Sequence, residues 1–181
     1  GIVGYNAKGA TISDCASYLS DYDNSIYNTI VNNWKAKADY AGGIAGYNDG
    51  NILFSEESQN ITVKSVSSIV VGEDYVGGVV GFNDVNATIK VNYTLIGGRI
   101  YAFGKCAGGA FGLNASASVT ESDLKIRPRS VEGQLFVGGC IGANLVNTNN
   151  DLVMDGIHTD SILGTIKGKA FCGGVVGYIS T

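Results

Sequence analysis

Proline occurs once in 181 residues, at Pro128, and histidine once, at His158. One proline rules out a collagen-like or proline-rich linker chain. One histidine leaves no His-Glu-x-x-His string, no cysteine or histidine spacing resembles a zinc site, and one histidine by itself is no argument for an ordered Ser-His-Asp set. Charge is also scarce, at 15% of residues against roughly 25% in average domains. The net charge of −4 and the scattered basic residues argue against nucleic acid as a partner. The one basic cluster, Lys125-Ile-Arg127-Pro-Arg129, reads as a strand and turn. No apolar run approaches the roughly 18–20 residues that span a membrane, so membrane insertion is not expected. No G-x-S-x-G string occurs, and no export signal is visible; the chain begins at Gly1 rather than Met, as a mature product or an excerpt would.

Glycine, by contrast, supplies 27 residues, about twice its usual share of roughly 7%. Much of it lies in six copies of one motif: Gly1-Ile-Val-Gly-Tyr-Asn6, Gly42-Gly-Ile-Ala-Gly-Tyr-Asn48, Gly77-Gly-Val-Val-Gly-Phe-Asn83, Gly108-Gly-Ala-Phe-Gly-Leu-Asn114, Gly138-Gly-Cys-Ile-Gly-Ala-Asn144 and Gly173-Gly-Val-Val-Gly-Tyr-Ile179. The closing glycines, Gly4, Gly46, Gly81, Gly112, Gly142 and Gly177, recur at steps of 42, 35, 31, 30 and 35 residues. A period of 20–50 residues predicts a stacked repeat. Within each unit side chains alternate with period two, as in Thr88-Ile-Lys-Val-Asn-Tyr-Thr94, the periodicity of strands.

The expected fold is all-β: a parallel β-helix, or β-solenoid, of about five coils, each of three short strands. The first strand is the double-glycine segment. The second starts near Ile12, Ile61, Ile89, Val119 or Leu152, and the third lies near Trp34, Val66, Ile100, Val131 or Ile166. Gly72, Gly104, Gly133 and Gly168 mark a corner before the next motif. A propeller blade has a similar period but needs four strands. The long first repeat carries an excess at residues 20–33, read as a loop rather than a covering helix. Residues 1–181 form one repeat domain, part of a longer chain or of an assembly.

The motif asparagines Asn48, Asn83, Asn114 and Asn144 should stack in a column as an amide ladder. Gly46, Gly81, Gly112, Gly142 and Gly177 should stack beside them. Both faces of the double-glycine segment are apolar. Either the glycines bend the strand and flip its phase, or another element or partner covers its outer side. The four cysteines, Cys15, Cys106, Cys140 and Cys172, are expected to be free thiols. In register, Cys106 and Cys140 fall four places apart along neighbouring strands, about 13 Å, and a disulfide needs Cα atoms within about 7 Å.

The aromatic–x–Gly-Gly–Val/Ile–Val–Gly–aromatic–Asn string, followed by a Thr-Ile segment as in Gly9-Ala-Thr-Ile-Ser-Asp-Cys15, resembles the GLUG repeat. The likeness covers essentially the whole chain, with Ala143 replacing the aromatic residue and Ile179 the asparagine. It implies a β-solenoid on an exported bacterial protein, found at the cell surface or outside the cell, and it transfers no catalytic residue.

The expected function is therefore a non-catalytic structural or adhesive solenoid, without cofactor or metal. Its partners would be protein, as flanking repeats or a second copy, and a host-surface glycan or protein. Gly1, Ile2, Val3 and Tyr5 at one end, and Phe171, Val175, Val176 and Tyr178 at the other, carry neither proline nor charge to blunt an open strand edge. They are the candidate interface, joining a flanking repeat or a copy stacked head to tail. The alternative is a carbohydrate-binding or carbohydrate-cleaving β-helix, with Tyr93 and Tyr101 as sugar platforms. For cleavage the acidic candidates are Glu56-Glu57, Glu73-Asp74, Asp151, Asp155 and Asp160. Adjacent carboxylates in a strand point to opposite faces, so neither Glu56-Glu57 nor Glu73-Asp74 makes a natural dyad. Asp21-Tyr-Asp23-Asn24 reads as a turn before a calcium site, and the four Asn-x-Ser/Thr sequons, at Asn60, Asn86, Asn92 and Asn114, as chance in a chain rich in Asn, Ser and Thr.

Overall fold

A computed structural model of the chain describes residues 2–13, 15, 38–53, 69–90, 94–96, 98–116, 118–120, 124–145, 157–158 and 164–180. The described residues form short strands in five sheets, and no helix occurs among them. All strand pairs are parallel, and each sheet runs in sequence order from coil to coil. That is the arrangement of a parallel β-helix.

The coil around residues 106–132 runs through all five sheets. Its strands are Cys106–Gly108, Phe111–Asn114, Ser118–Thr120, Leu124–Arg127 and Ser130–Glu132, one in each sheet. The coil therefore holds five short strands where three were expected. Two causes account for the difference. The double-glycine segment is two strands, divided by a bend at Gly109-Ala110. A further sheet, of Thr94–Ile96, Leu124–Arg127 and Ile157–His158, precedes the one expected as third. In the second repeat the second strand is Asn51–Leu53, where Ile52 pairs Ile12 and Ile89, rather than a segment at Ile61. Trp34, Ile61, Val66 and Leu152, and the loop expected at residues 20–33, lie outside the described residues.

The bend resolves the two-faced apolar segment, because side-chain phase flips across the glycine pair. Before the bend, Val76, Ala107 and Val137 pack into a core with Val70, Ile100 and Val131. After it, Val80, Phe111 and Ile141 pack into a second core with Ile52, Ile89 and Ile126. The remaining side chains of the two strands meet each other. Tyr40 lies edge-on to Tyr47 and Phe82, with centroids 5.2 and 5.7 Å apart. Coil on coil, Tyr40 stacks on Tyr75 at 5.5 Å and Tyr47 on Phe82 at 4.9 Å. Such ring pairs add about 0.5–1.5 kcal/mol each beyond area burial. Farther along, Cys106, Leu113 and Ala143 fill the same angle and are buried.

The glycines are required by space rather than by backbone torsion. Among the described residues only Gly9 has a positive φ, 80°, in the turn closed by Ala10 N–H donating to Ala7 O. At Gly108, by contrast, a Cβ would lie 1.9 Å from Phe111 O, and at Gly112 it would lie 2.4 Å from Val76 N. The first glycine of the motif tightens the bend, and the closing glycine sets one strand's backbone directly on another's.

The four cysteines are free thiols. Cys106 sits in a strand beside Phe136, and Cys140 lies in the bend after that strand. Burial pushes the Cys106 thiol up to about 12. The thiolate is the nucleophile, so near neutral pH Cys106 stays the unreactive thiol. In the native protein the exposed Cys172 should alkylate first, with Cys106 and Cys140 protected until unfolding. Mass spectrometry of the unreduced, denatured protein should then count four alkylated sites. Two fewer would reveal a disulfide.

Candidate functional site

Repetition places the same side chains on one line, and the asparagines show this most plainly. Asn6, Asn48, Asn83, Asn114 and Asn144 occupy equivalent places in adjacent parallel strands. All five are buried. Asn6 Nδ2 donates to Asn48 Oδ1 at 2.7 Å, Asn48 to Asn83 at 2.9 Å, Asn83 to Asn114 at 2.8 Å and Asn114 to Asn144 at 3.0 Å. Every donor points toward the C-terminal coil. A buried amide is costly unless hydrogen-bonded, and here the copy in the next coil supplies the partner. Ile179 takes the next place beside Asn144, so an aliphatic side chain follows the amides.

Gly46, Gly81, Gly112, Gly142 and Gly177 run alongside. A Cβ on any of them would come within 3.0 Å of backbone in its own or an adjoining strand. The Asn and Gly columns therefore form one continuous polar seam against bare backbone.

Other cross-coil pairs depend on register and carry no motif in the sequence. The Tyr47 hydroxyl donates to Asp84. Burial, and then this carboxylate, hold the Tyr47 phenol above its ordinary value, so it remains a neutral donor. Lys105 Nζ donates to Asp74 Oδ2 at 2.8 Å and lies 5.3 Å from the Tyr75 ring centroid. That bond raises the lysine above its usual value, while burial raises the Tyr75 phenol. Spacing alone could not have found these pairs, whose members lie 37 and 31 residues apart.

Of the acidic candidates, Glu73 and Asp74 sit at a bend, with Asp74 held by Lys105. Glu56, Glu57, Asp151, Asp155, Asp160, the Asp21–Asn24 cluster and Tyr93 lie outside the described residues. His158 is described only as backbone, paired in register with Lys125. Among the described residues no three His, Cys, Asp or Glu side chains gather as a metal site would need, and no helix is long and apolar enough to cross a membrane.

Of the candidate interface, Ile2, Tyr5, Phe171, Val175 and Tyr178 are exposed, while Val3 and Val176 are half-buried against the core. Gly1 lies outside the described residues. Phe136 stacks on Phe171 at 5.4 Å and on Tyr178 at 4.6 Å, so this end continues the aromatic packing of the interior.

Fold and seam together define a parallel β-helix repeat protein. No family model, no curated protein and no solved structure matches the chain.

Proposed function

We propose that the chain is a structural, non-catalytic solenoid of an exported bacterial surface protein, of the kind the GLUG-like motif implies. It serves as a stalk, an adhesive surface or an assembly unit. The observation that supports this reading most is where the repeated polar residue is spent. Asn6 through Asn144 bond to one another in the buried seam and hold coil to coil. The partners are further coils, from flanking repeats or a second copy, that pair with the strand edges at Tyr5 and Tyr178.

Protease shaving of intact producing cells tests the location, followed by identification of released peptides. The solenoid should be cut from the cell surface while cytoplasmic markers stay intact. A protein protected until the cells are lysed would overturn the surface assignment. The non-catalytic part has its own test. His158→Ala, and Glu56→Gln with Glu57→Gln, should change no biological activity. A large loss of polysaccharide turnover in either variant would make the protein an enzyme.

A further inference from the structure

The sheet formed by Ile69–Gly72, Arg99–Ala102, Ser130–Glu132 and Thr165–Lys167 carries a feature unrelated to stacking. Its inward side chains Val70, Ile100, Val131 and Ile166 belong to the core. Alternation along a strand turns the next residues outward. Register then sets Tyr101, Glu132 and Lys167 side by side on three successive coils. These residues, with Gly133, Gln134, Gly168 and Lys169, line a hollow of about 270 Å³.

The hollow has a structural cause. A Cβ on Gly133 would lie 3.1 Å from Ala107 Cβ, and one on Gly168 would lie 2.7 Å from Val137 Cγ2. The two glycines let the backbone sink onto the core, and the surface above them is concave. Gly133 N–H donating to Lys167 O at 2.9 Å, and Lys169 N–H donating to Gln134 O at 3.0 Å, tie the two turns together. Phe103, which is not part of the lining, meets the Tyr101 ring edge-on at 4.9 Å and steadies it.

We propose that this hollow binds one residue of an anionic saccharide, a sugar bearing a carboxylate such as a uronate. A steadied tyrosine ring offers an apolar face to sugar C–H groups at low ordering cost. The Glu132 carboxylate and Gln134 amide match the donors and acceptors of neighbouring hydroxyls. The Lys167 and Lys169 ammonium groups supply two positive charges against one carboxylate, in a chain whose net charge is −4. The volume lies just under the roughly 300–1,000 Å³ of sites for drug-sized ligands, which suits one ring at a time. Successive strands are about 4.8 Å apart, close to the advance of one pyranose along an extended chain, so a longer saccharide would run parallel to the stack. The site does not depend on where the protein resides.

Titration of the 1–181 chain with trigalacturonate at low salt, followed by calorimetry and ligand-observed NMR, tests the assignment. Binding is expected with a Kd on the order of 1 mM. The neutral trisaccharide of galactose, and citrate as a sugar-free acid, should each bind at least tenfold more weakly. Lys167→Gln with Lys169→Gln changes only exposed side chains and should weaken trigalacturonate at least tenfold while thermal unfolding stays unchanged. Tyr101→Ala should do the same if circular dichroism shows it folded. Absence of trigalacturonate binding, or binding indifferent to the lysine pair, would overturn the site. Equal binding of the neutral sugar would overturn the anionic assignment, and equal binding of citrate would overturn the saccharide.

Discussion

Gly108→Ala should cost the stack at least about 4 kcal/mol, or prevent folding, although it adds a single methyl group. Ordinary overpacking costs about 1–3 kcal/mol because neighbouring side chains shift aside. Here the neighbours are main chain: Phe111 O at 1.9 Å and Gly142 N at 2.6 Å from the added carbon. Relief requires opening the bend, and that drags Phe111, the largest fully buried side chain among the described residues, out of its core. A loss of this size is exceptional for one substitution and needs a named cause of this kind. The terminal repeat supplies the controls. Gly173→Ala meets Val176 O at 1.8 Å, but between two strands, Phe171–Gly173 and Val176–Ser180, whose side chains are exposed or half-buried, so it should cost less. At Gly174 nothing lies within 4 Å. Alanine there should be neutral, or stabilising by up to about 1 kcal/mol, by restricting the unfolded chain. Denaturant midpoints followed by circular dichroism should fall in that order. A Gly108→Ala protein within about 1 kcal/mol of the parent would refute the steric account of the bend.

Asn83→Leu should cost about 4 kcal/mol, with a distinctive lack of additivity. Asn83 accepts from Asn48 Nδ2 at 2.9 Å and donates to Asn114 Oδ1 at 2.8 Å. Leucine takes from both neighbours their bond to this coil, leaving Asn114 Oδ1 only the long contact from Ser116 N–H at 3.4 Å, at about 1–3 kcal/mol for each buried group so deprived. Asn48→Leu likewise strands the groups on either side of it. The double variant still strands only two groups, one on Asn6 and one on Asn114, because the middle bond vanishes with both its members. It should therefore be little less stable than either single variant, a coupling of several kcal/mol where neighbouring sites typically show 0.5–3. Simple addition of the two losses would show that the ladder does not act as a connected chain of bonds.

The contrast between these residues and the rest of the molecule shows what a single sequence can reveal. Asn83 and Gly112 were legible because a parallel stack repeats one environment at one period, so the same need recurs as the same letter. The strand count was not. Pieces such as Leu124–Arg127 hold four residues, too few for alternation to mark where one strand stops and the next begins. Ile61 was a plausible counterpart of Ile89, because an Ile-Thr string imitates the motif's sequel, but the extra residues of that repeat come after Asn51–Leu53 rather than before it. The apolar double face betrayed the bend, yet the choice between a bend and a covered strand turned on contacts between main-chain atoms, which composition does not encode. Tyr47 and Asp84, or Tyr101, Glu132 and Lys167, come together only through register. For the second group the signal was available: each follows the aligned apolar residue of its strand, Ile100, Val131 or Ile166, by one place.

The uniform direction of the amide bonds has a consequence for length. Every coil from Asn6 to Asn114 hands an N–H to the next and, after the first, takes one from the coil before. All junctions are thus chemically alike. A whole coil excised between two asparagines brings a donor against an acceptor again, and a duplicated coil inserts as readily. Partial excision leaves mismatched faces. The molecule is a ruler graduated in steps of about 4.8 Å, whose reach changes by counting repeats, with the aliphatic Ile179 marking where this scale of amides stops.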